Sequence, residues 1–275
     1  MNLKDRIGID LGRRLSLEDG VVWASERGVK YIDVQLDVAP NALKSFDNAR
    51  CVPIKEASAS NGIHIGLHTL SGVNIAEYSP YLSEAIDDYL KAYIDVAVRL
   101  NAEWVVVHPG HHFGDKEARV QAAIEHIAKA ADYAEKVGAT LYLENMNWEP
   151  DQAEVHYLAH TLEEARFYFE RLTSPAIKWS FTVNHAHLVP EGIDGFIDGL
   201  DMSRLGEVRI ADCTGDFEVH MKPGEGTINF GRMFKRIEAT GFTGHYMNAF
   251  GTLDEMNEAR DYLVDCAAHA GVSID

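Results

Sequence analysis

Residues able to move protons or hold divalent ions recur at the ends of short apolar runs. Asp10 ends RIGID, Gln35 follows YIDV, His68 closes HIGLH and His108 closes WVVVH. Glu144 is followed by Asn145 and Asn147, and Asn184, His185 and His187 follow KWSFTV. Arg209 and Asp212 lie in EVRIAD, and Asn248 in HYMNAF. Imidazole, carboxylate and guanidinium groups serve as general acids and bases, as metal ligands and as stabilisers of a developing oxyanion. One such residue at a strand end is easily satisfied by a carbonyl or by water. Polar groups at the ends of successive runs call for more, because an inert fold would close those ends with apolar side chains at lower desolvation cost. The pattern predicts one polar site assembled from distant parts of the chain.

The elements that would position these residues follow from the alternation of the sequence. Short β-branched or apolar runs at 6–11, 31–36, 64–68, 104–108, 140–144, 178–183, 207–211 and 245–250 read as strands. Longer amphipathic stretches at 16–27, 81–100, 116–137, 162–172, 230–240 and 254–270 read as helices between them. Gly28, Gly62, Gly138, Gly241 and Gly271 fall where a left-handed C-cap ends a helix. Ser16 and Thr161, each followed by acidic residues, mark helix starts. No low-complexity linker divides the series, so residues 1–275 are expected to form a single (β/α)8 TIM-barrel domain, a fold typically of about 250 residues. Such a barrel gathers all its strand ends on one catalytic face. The first strand, IGIDLGRR, lacks the GxGxxG turn of a dinucleotide-binding sheet, so no nucleotide cofactor is expected.

Composition narrows the partners. A net charge of −18 would repel a nucleic-acid backbone. No run approaches the roughly 20 apolar residues of a membrane span, and the first residues do not read as a signal peptide, so a cytoplasmic location is expected. The three cysteines, Cys51, Cys213 and Cys266, are far apart and odd in number, as reduced thiols would be. His111 and His112 read as solvated loop residues. His156 and His160 have the spacing of one helix face but lack the glutamate of a HExxH motif, and read as surface or lid residues. PGEG at 223–226 reads as a tight turn.

The segments VVVHPG (105–110), LYLENMN (141–147), NHAHL (184–188) and VHMKPGEGTINF (219–230) resemble signatures of the xylose isomerase-like superfamily, which joins sugar isomerases and epimerases with endonuclease IV, also called AP endonuclease family 2. GLHTLSGVNIA (66–76) is similar to the third-strand motif of endonuclease IV, and the likeness runs in order along essentially the whole chain. It implies carbohydrate metabolism: isomerase or epimerase chemistry, or a dehydratase-type elimination, by proton transfer on a sugar, polyol, inosose or related hydroxy-carbonyl compound. In that reading Glu144 or His185 is the base and Arg209 or a metal ion stabilises the oxyanion. His68, His108, Asn145, Asn147, Trp148, His187, Asp212, His220 and Asn248 contact substrate.

The sugar-enzyme branch usually holds a divalent ion with Glu, Asp, His and Glu. The resemblance places Glu144 at the first position, but Thr182, Arg209 and Asn248 at the other three. Arginine cannot become a ligand, yet it pairs bidentately with carboxylates, so Arg209 could take over the metal's electrostatic role. Restoring His, Asp and Glu at positions 209, 182 and 248 is expected to recreate tight divalent binding. A second reading moves the metal: His68, His108 and Glu144 match an endonuclease IV ion site, a donor set suited to zinc, manganese or cobalt. His185, Glu218 and His220 are partial counterparts of a further one, with Glu218 standing where Asp is expected. Both readings stand on the sequence. Two other functions follow from the resemblance: a phosphodiester hydrolase, which the charge opposes, and a binding barrel that has lost its metal and its turnover. A homo-oligomer is compatible with a barrel of this size.

Overall fold

The computed structural model describes residues 2–275. Eight parallel strands close into a barrel: β1 (Ile7–Gly12), β2 (Tyr31–Val34), β3 (His64–His68), β4 (Trp104–Val107), β5 (Leu141–Glu144), β6 (Ile177–Thr182), β7 (Leu205–Ile210) and β8 (His245–Asn248). β1 pairs with both β2 and β8, which leaves no sheet edge. The outer ring comprises α1 (Leu17–Glu26), α2 (Asn48–Asn61), α3 (Pro80–Leu100), α4 (Lys116–Val137), α5 (Leu162–Arg171), α6 (Gly192–Gly199), α7 (Phe230–Glu238) and α8 (Leu253–His269). This is the expected (β/α)8 fold. No helix among the described residues is long and apolar enough to cross a membrane.

The helices form where one apolar stripe meets the sheet. In α3 that stripe is Ile86, Leu90, Ile94 and Ala97, spaced by three or four residues. In α4 it is largely alanine, which lets the helix axis approach the strands closely. α8 begins with a capping box in which Thr252 and Glu255 bond each other's backbone N–H groups. α2 and α4 end on left-handed Gly62 and Gly138, whereas α3 uses Asn101 at φ 56°.

Some sequence expectations are corrected. α6 and a short helical turn at Val183–His187 went unrecognised, and α2 was marked only by its C-cap, Gly62; the turn carries the polar run Asn184–His187 that read as a strand end. His156 and His160 share no helix. His156 pairs in a two-residue antiparallel ribbon, His156–Tyr157 against His111–His112, and its ring stacks on His112 at 5.5 Å. His160 bonds the Tyr157 carbonyl and lies beside Glu164 instead.

Strand alternation fixes which side chains enter the barrel. At the amino-terminal end, Tyr31, Trp104, Tyr142 and His245 form an aromatic plug, with His245 stacked 4.6 Å from Tyr31 and tilted against Trp104 at 4.2 Å. Counting by twos from that layer leads inward to Asp33, His108, Glu144 and Ala249. Gly66 on β3 makes room for Trp104: a Cβ there would lie 1.9 Å from the indole. Gly66→Ala is therefore expected to lower the urea midpoint by the equivalent of about 1–3 kcal/mol, the usual penalty for overpacking. Trp104→Leu in the same chain should return part of the loss, and independent, additive effects would contradict the contact.

Candidate active site

A cavity of about 330 Å³ opens where the strands end, lined by residues of the strand ends and the loops beyond them. Its floor is a buried charge cluster. Arg209 on β7 donates from Nη1 to Asp33 Oδ2 at 2.5 Å and from Nη2 to Asp10 Oδ2 at 2.6 Å, and Nη1 also lies 3.5 Å from Glu207 Oε1. Glu207 is tied in turn to Ser180 Oγ at 2.7 Å and His245 Nε2 at 3.1 Å. Burial opposes charge on every member. Asp33, Glu207 and Asp10 nevertheless raise the Arg209 pKa well above its ordinary value, while burial and the neighbouring Asp33 push that of Asp10 up. Asp33 falls below the carboxylate range because Arg209 and His68 outweigh its burial.

Above this floor, His68 Nε2, His108 Nε2 and Glu144 Oε2 converge. The two nitrogens are 3.0 Å apart, and they lie 3.6 and 3.0 Å from the carboxylate oxygen. His108 Nδ1 bonds Thr69 Oγ1 and His68 Nδ1 faces Asp33 Oδ2 at 3.6 Å. With the Nδ1 protons directed to those oxygens, both Nε2 lone pairs point at one spot. A tetrahedral zinc ion with bonds of about 2.0–2.1 Å holds its ligand atoms roughly 3.3 Å apart, so this donor set fits a divalent ion. In the absence of an ion a proton takes that place: burial and Arg209 disfavour it, but Asp33 and Glu144 raise the His68 pKa to about 9. Glu144 is held well below its ordinary value, burial being outweighed by His108 and His68, and its other oxygen accepts from Thr182 Oγ1 at 2.5 Å.

A second cluster lies across Glu144. Glu218 Oε1 is 2.8 Å from His220 Nε2, 3.4 Å from His185 Nε2 and 2.9 Å from Asn184 Nδ2. Both rings turn Nδ1 to backbone carbonyls, His185 to Asn145 at 2.7 Å and His220 to Ala249 at 2.5 Å, which leaves Nε2 aimed at the carboxylate. Burial disfavours charge here too, yet His185 and His220 bring the Glu218 pKa to about 2, and Glu218 raises that of His185. Each triplet has ligand atoms within 4.8 Å of one another.

Residues 21–266 match the family model described as xylose isomerase-like TIM barrel. The chain belongs to that family. It is 22% identical over 261 residues to the uncharacterized protein MJ1614 of Methanocaldococcus jannaschii, covering 91% of this chain and 90% of that protein. Among solved structures it is similar to D-psicose 3-epimerase with D-tagatose from Clostridium cellulolyticum H10, with a TM-score of 0.80 and 15% identity over 97% of this chain and 99% of that one. It is likewise similar to 3-keto-D-glucoside 4-epimerase from E. coli, with a TM-score of 0.74 and 15% identity over 96% and 99% of the two chains. These structural likenesses establish the fold.

The structure sorts the residues singled out by sequence. Glu144, His185, Arg209, His68, His108, Asn147 and His220 line the cavity. The expectation that Asn248 faces the site is corrected: β8 turns it outward, where its Nδ2 donates to the Met256 carbonyl of α8, and Ala249 lines the cavity in its place. Three other residues act as braces around the site. Asn145 staples β5 to β6 through the Thr182 backbone and Trp179, and Asp212 accepts N–H bonds from Cys213, Gly224, Gly226 and Ile228. His187 bonds Thr227. Trp148 packs against the hydrophobic core. Glu149 lines the cavity from a loop and Tyr157 from the two-residue ribbon, neither of which carries a periodic signal, and Asp33 and Glu207 were hidden inside apolar strands.

Arg209→Met is expected to cost about 3–5 kcal/mol in urea unfolding, because it leaves Asp33 and Glu207 buried without their counter-charge. Adding Asp33→Asn should return part of it. A second expectation concerns pH. The folded pKa of His68, about 9, lies above its ordinary 6.5, so its stabilisation is complete below 6.5 and lost as pH rises through 9. Chelator-treated protein should therefore lose roughly 2–3 kcal/mol of unfolding free energy over that window, and the loss should be much smaller in His68→Gln.

Proposed function

We propose that the protein is an isomerase or epimerase, or a dehydratase-type lyase, that transfers a proton on a small hydroxy-carbonyl compound such as a sugar or an inosose. The observation that carries this reading is the placing of a buried carboxylate between two sets of imidazoles at the mouth of a closed barrel. Glu144 Oε1 lies 3.7 Å from His185 Nδ1, and its Oε2 lies 3.0 Å from His108 Nε2. Glu144 is kept ionised and is therefore a base for the acidic C–H beside a carbonyl. His185, whose charged form is favoured by Glu218, is positioned to return a proton from another side. Return to the same carbon from the opposite face epimerises it; return to the adjacent carbon isomerises the compound.

His68, His108 and Glu144 would hold a zinc, manganese or cobalt ion, which when bound supplies the Lewis acidity that polarises a substrate oxygen. Arg209 contributes through its field from the floor, since two of its nitrogens are engaged by Asp10 and Asp33. The structural neighbours named as epimerases support the reaction class. The −18 charge and a cavity whose lone guanidinium is already paired oppose the binding of a nucleic acid.

Incubation in D2O with a panel of ketohexoses and inososes should replace the α-hydrogen, read as loss of its NMR signal. Glu144→Gln should slow exchange by about 10²–10⁴-fold while the circular dichroism is retained. Elemental analysis should find metal that falls in His68→Ala or His108→Ala. Absence of exchange across the panel with metal-supplemented protein would leave a binding role in place of catalysis.

A further inference from the structure

Resting on that reading, we infer that the substrate is a hydroxyl-rich molecule of about hexose size carrying no negative charge, and that phosphorylated and carboxylated analogues are excluded. The cavity is strongly one-sided in charge and in hydrogen bonding. Asp10, Glu144, Glu149 and Glu218 line it, and Asp33 and Glu207 lie directly beneath, against one arginine and no lysine among the lining residues. The arginine is already shared by Asp10 and Asp33. Counted with Asp33 and Glu207 beneath, the carboxylates outnumber the charge of the guanidinium and of one divalent ion held by His68, His108 and Glu144 together, so an incoming phosphate or carboxylate meets a net negative field in the cavity.

The hydrogen-bonding inventory points the same way. Buried side-chain atoms of the lining residues that lack a partner are Asp10 Oδ1, Asn184 Oδ1 and Glu218 Oε2, all acceptors, and His68 Nδ1, which is turned to Asp33 at 3.6 Å; Asp33 Oδ1, a further acceptor, lies just below. Several donors around them are spent on protein acceptors: Thr182 Oγ1 on Glu144, Asn147 Nδ2 on Glu149 and Asn184 Nδ2 on Glu218. A ligand satisfies orphaned acceptors by bringing O–H or N–H groups. Hydroxyls do so, ammonium does so more strongly, and an ionised phosphate or carboxylate has nothing to donate. Size agrees: a volume of about 330 Å³ lies at the small end of the roughly 300–1,000 Å³ range of small-molecule pockets, as suits a monosaccharide.

Equilibrium titration of the metal-supplemented protein with D-fructose, its phosphate monoester and its amino-deoxy analogue tests the inference without requiring turnover. The neutral and amino compounds should bind at least about 100-fold more tightly than the phosphate. Glu149→Gln should narrow that ratio by about tenfold by removing one cavity charge, a change that a merely structural role for Glu149 would not produce. Equal or tighter binding of the phosphate, or no binding by any member of the set, overturns the inference. If the neutral preference is found but no member exchanges deuterium, the proton-transfer reading falls while the charge selection stands. Exchange together with tight phosphate binding overturns the charge selection and leaves the proton-transfer reading in place.

Discussion

The charge cluster on the barrel axis is the constraint on which the site depends. Arg209 lies where neither water nor a flexible loop can compensate it, and it is neutralised by carboxylates from β1, β2 and β7. Burying such a set is expensive, and it is tolerable only when every charge has its partners in good geometry. The cluster therefore fixes the relative position of three strands and, through Glu207 and His245, of β8 as well. Its influence reaches the cavity through Asp33, whose Oδ2 serves Arg209 on one side and faces His68 on the other. The orientation of His68, and with it the convergence on Glu144, is set from below.

That coupling gives Thr182 and Arg209 structural work beside Glu144. Here Thr182 donates a hydrogen bond to Glu144, Arg209 is drawn down among Asp10 and Asp33, and Ala249 contributes no polar side chain. The remaining donors form two clusters, His68 and His108 with Glu144, and His185 with Glu218 and His220. Arginine and a displaced metal, alternatives on the sequence, are compatible in space: the guanidinium holds the floor and the imidazoles hold the walls.

Much of the fold was legible because closed parallel barrels write a simple pattern, and β3 and α4 match their expected bounds residue for residue. What escaped was phase. A run such as HYMNAF is apolar on both faces because α7 and α8 pack outside it while Met247 packs within, so alternation could not say whether Asn248 or Ala249 entered the cavity. Asp33 and Glu207 were hidden for a related reason: each looks like an interruption of a strand until its partner, distant in sequence, is known. The histidines at 156 and 160 were misplaced because their spacing was read without a helix to carry it, whereas the chain there forms a ribbon across the loop after β4.

The same physics explains why the candidate site is richer than its ligand count. A buried carboxylate is costly unless something nearby prefers it ionised, and three here have such a neighbour: imidazoles for Glu144 and Glu218, the guanidinium for Asp33. Those imidazoles are in turn oriented by fixed acceptors, the Asn145 and Ala249 carbonyls and the Thr69 hydroxyl, which are held by the strand ends themselves. Rigid backbone thus decides which nitrogen faces the cavity, and the facing nitrogens decide which carboxylate oxygens remain ionised. A reaction that needs an ionised base in one place and a proton donor in another gains both from this single hierarchy, provided that its substrate supplies the donors that the protein has already spent.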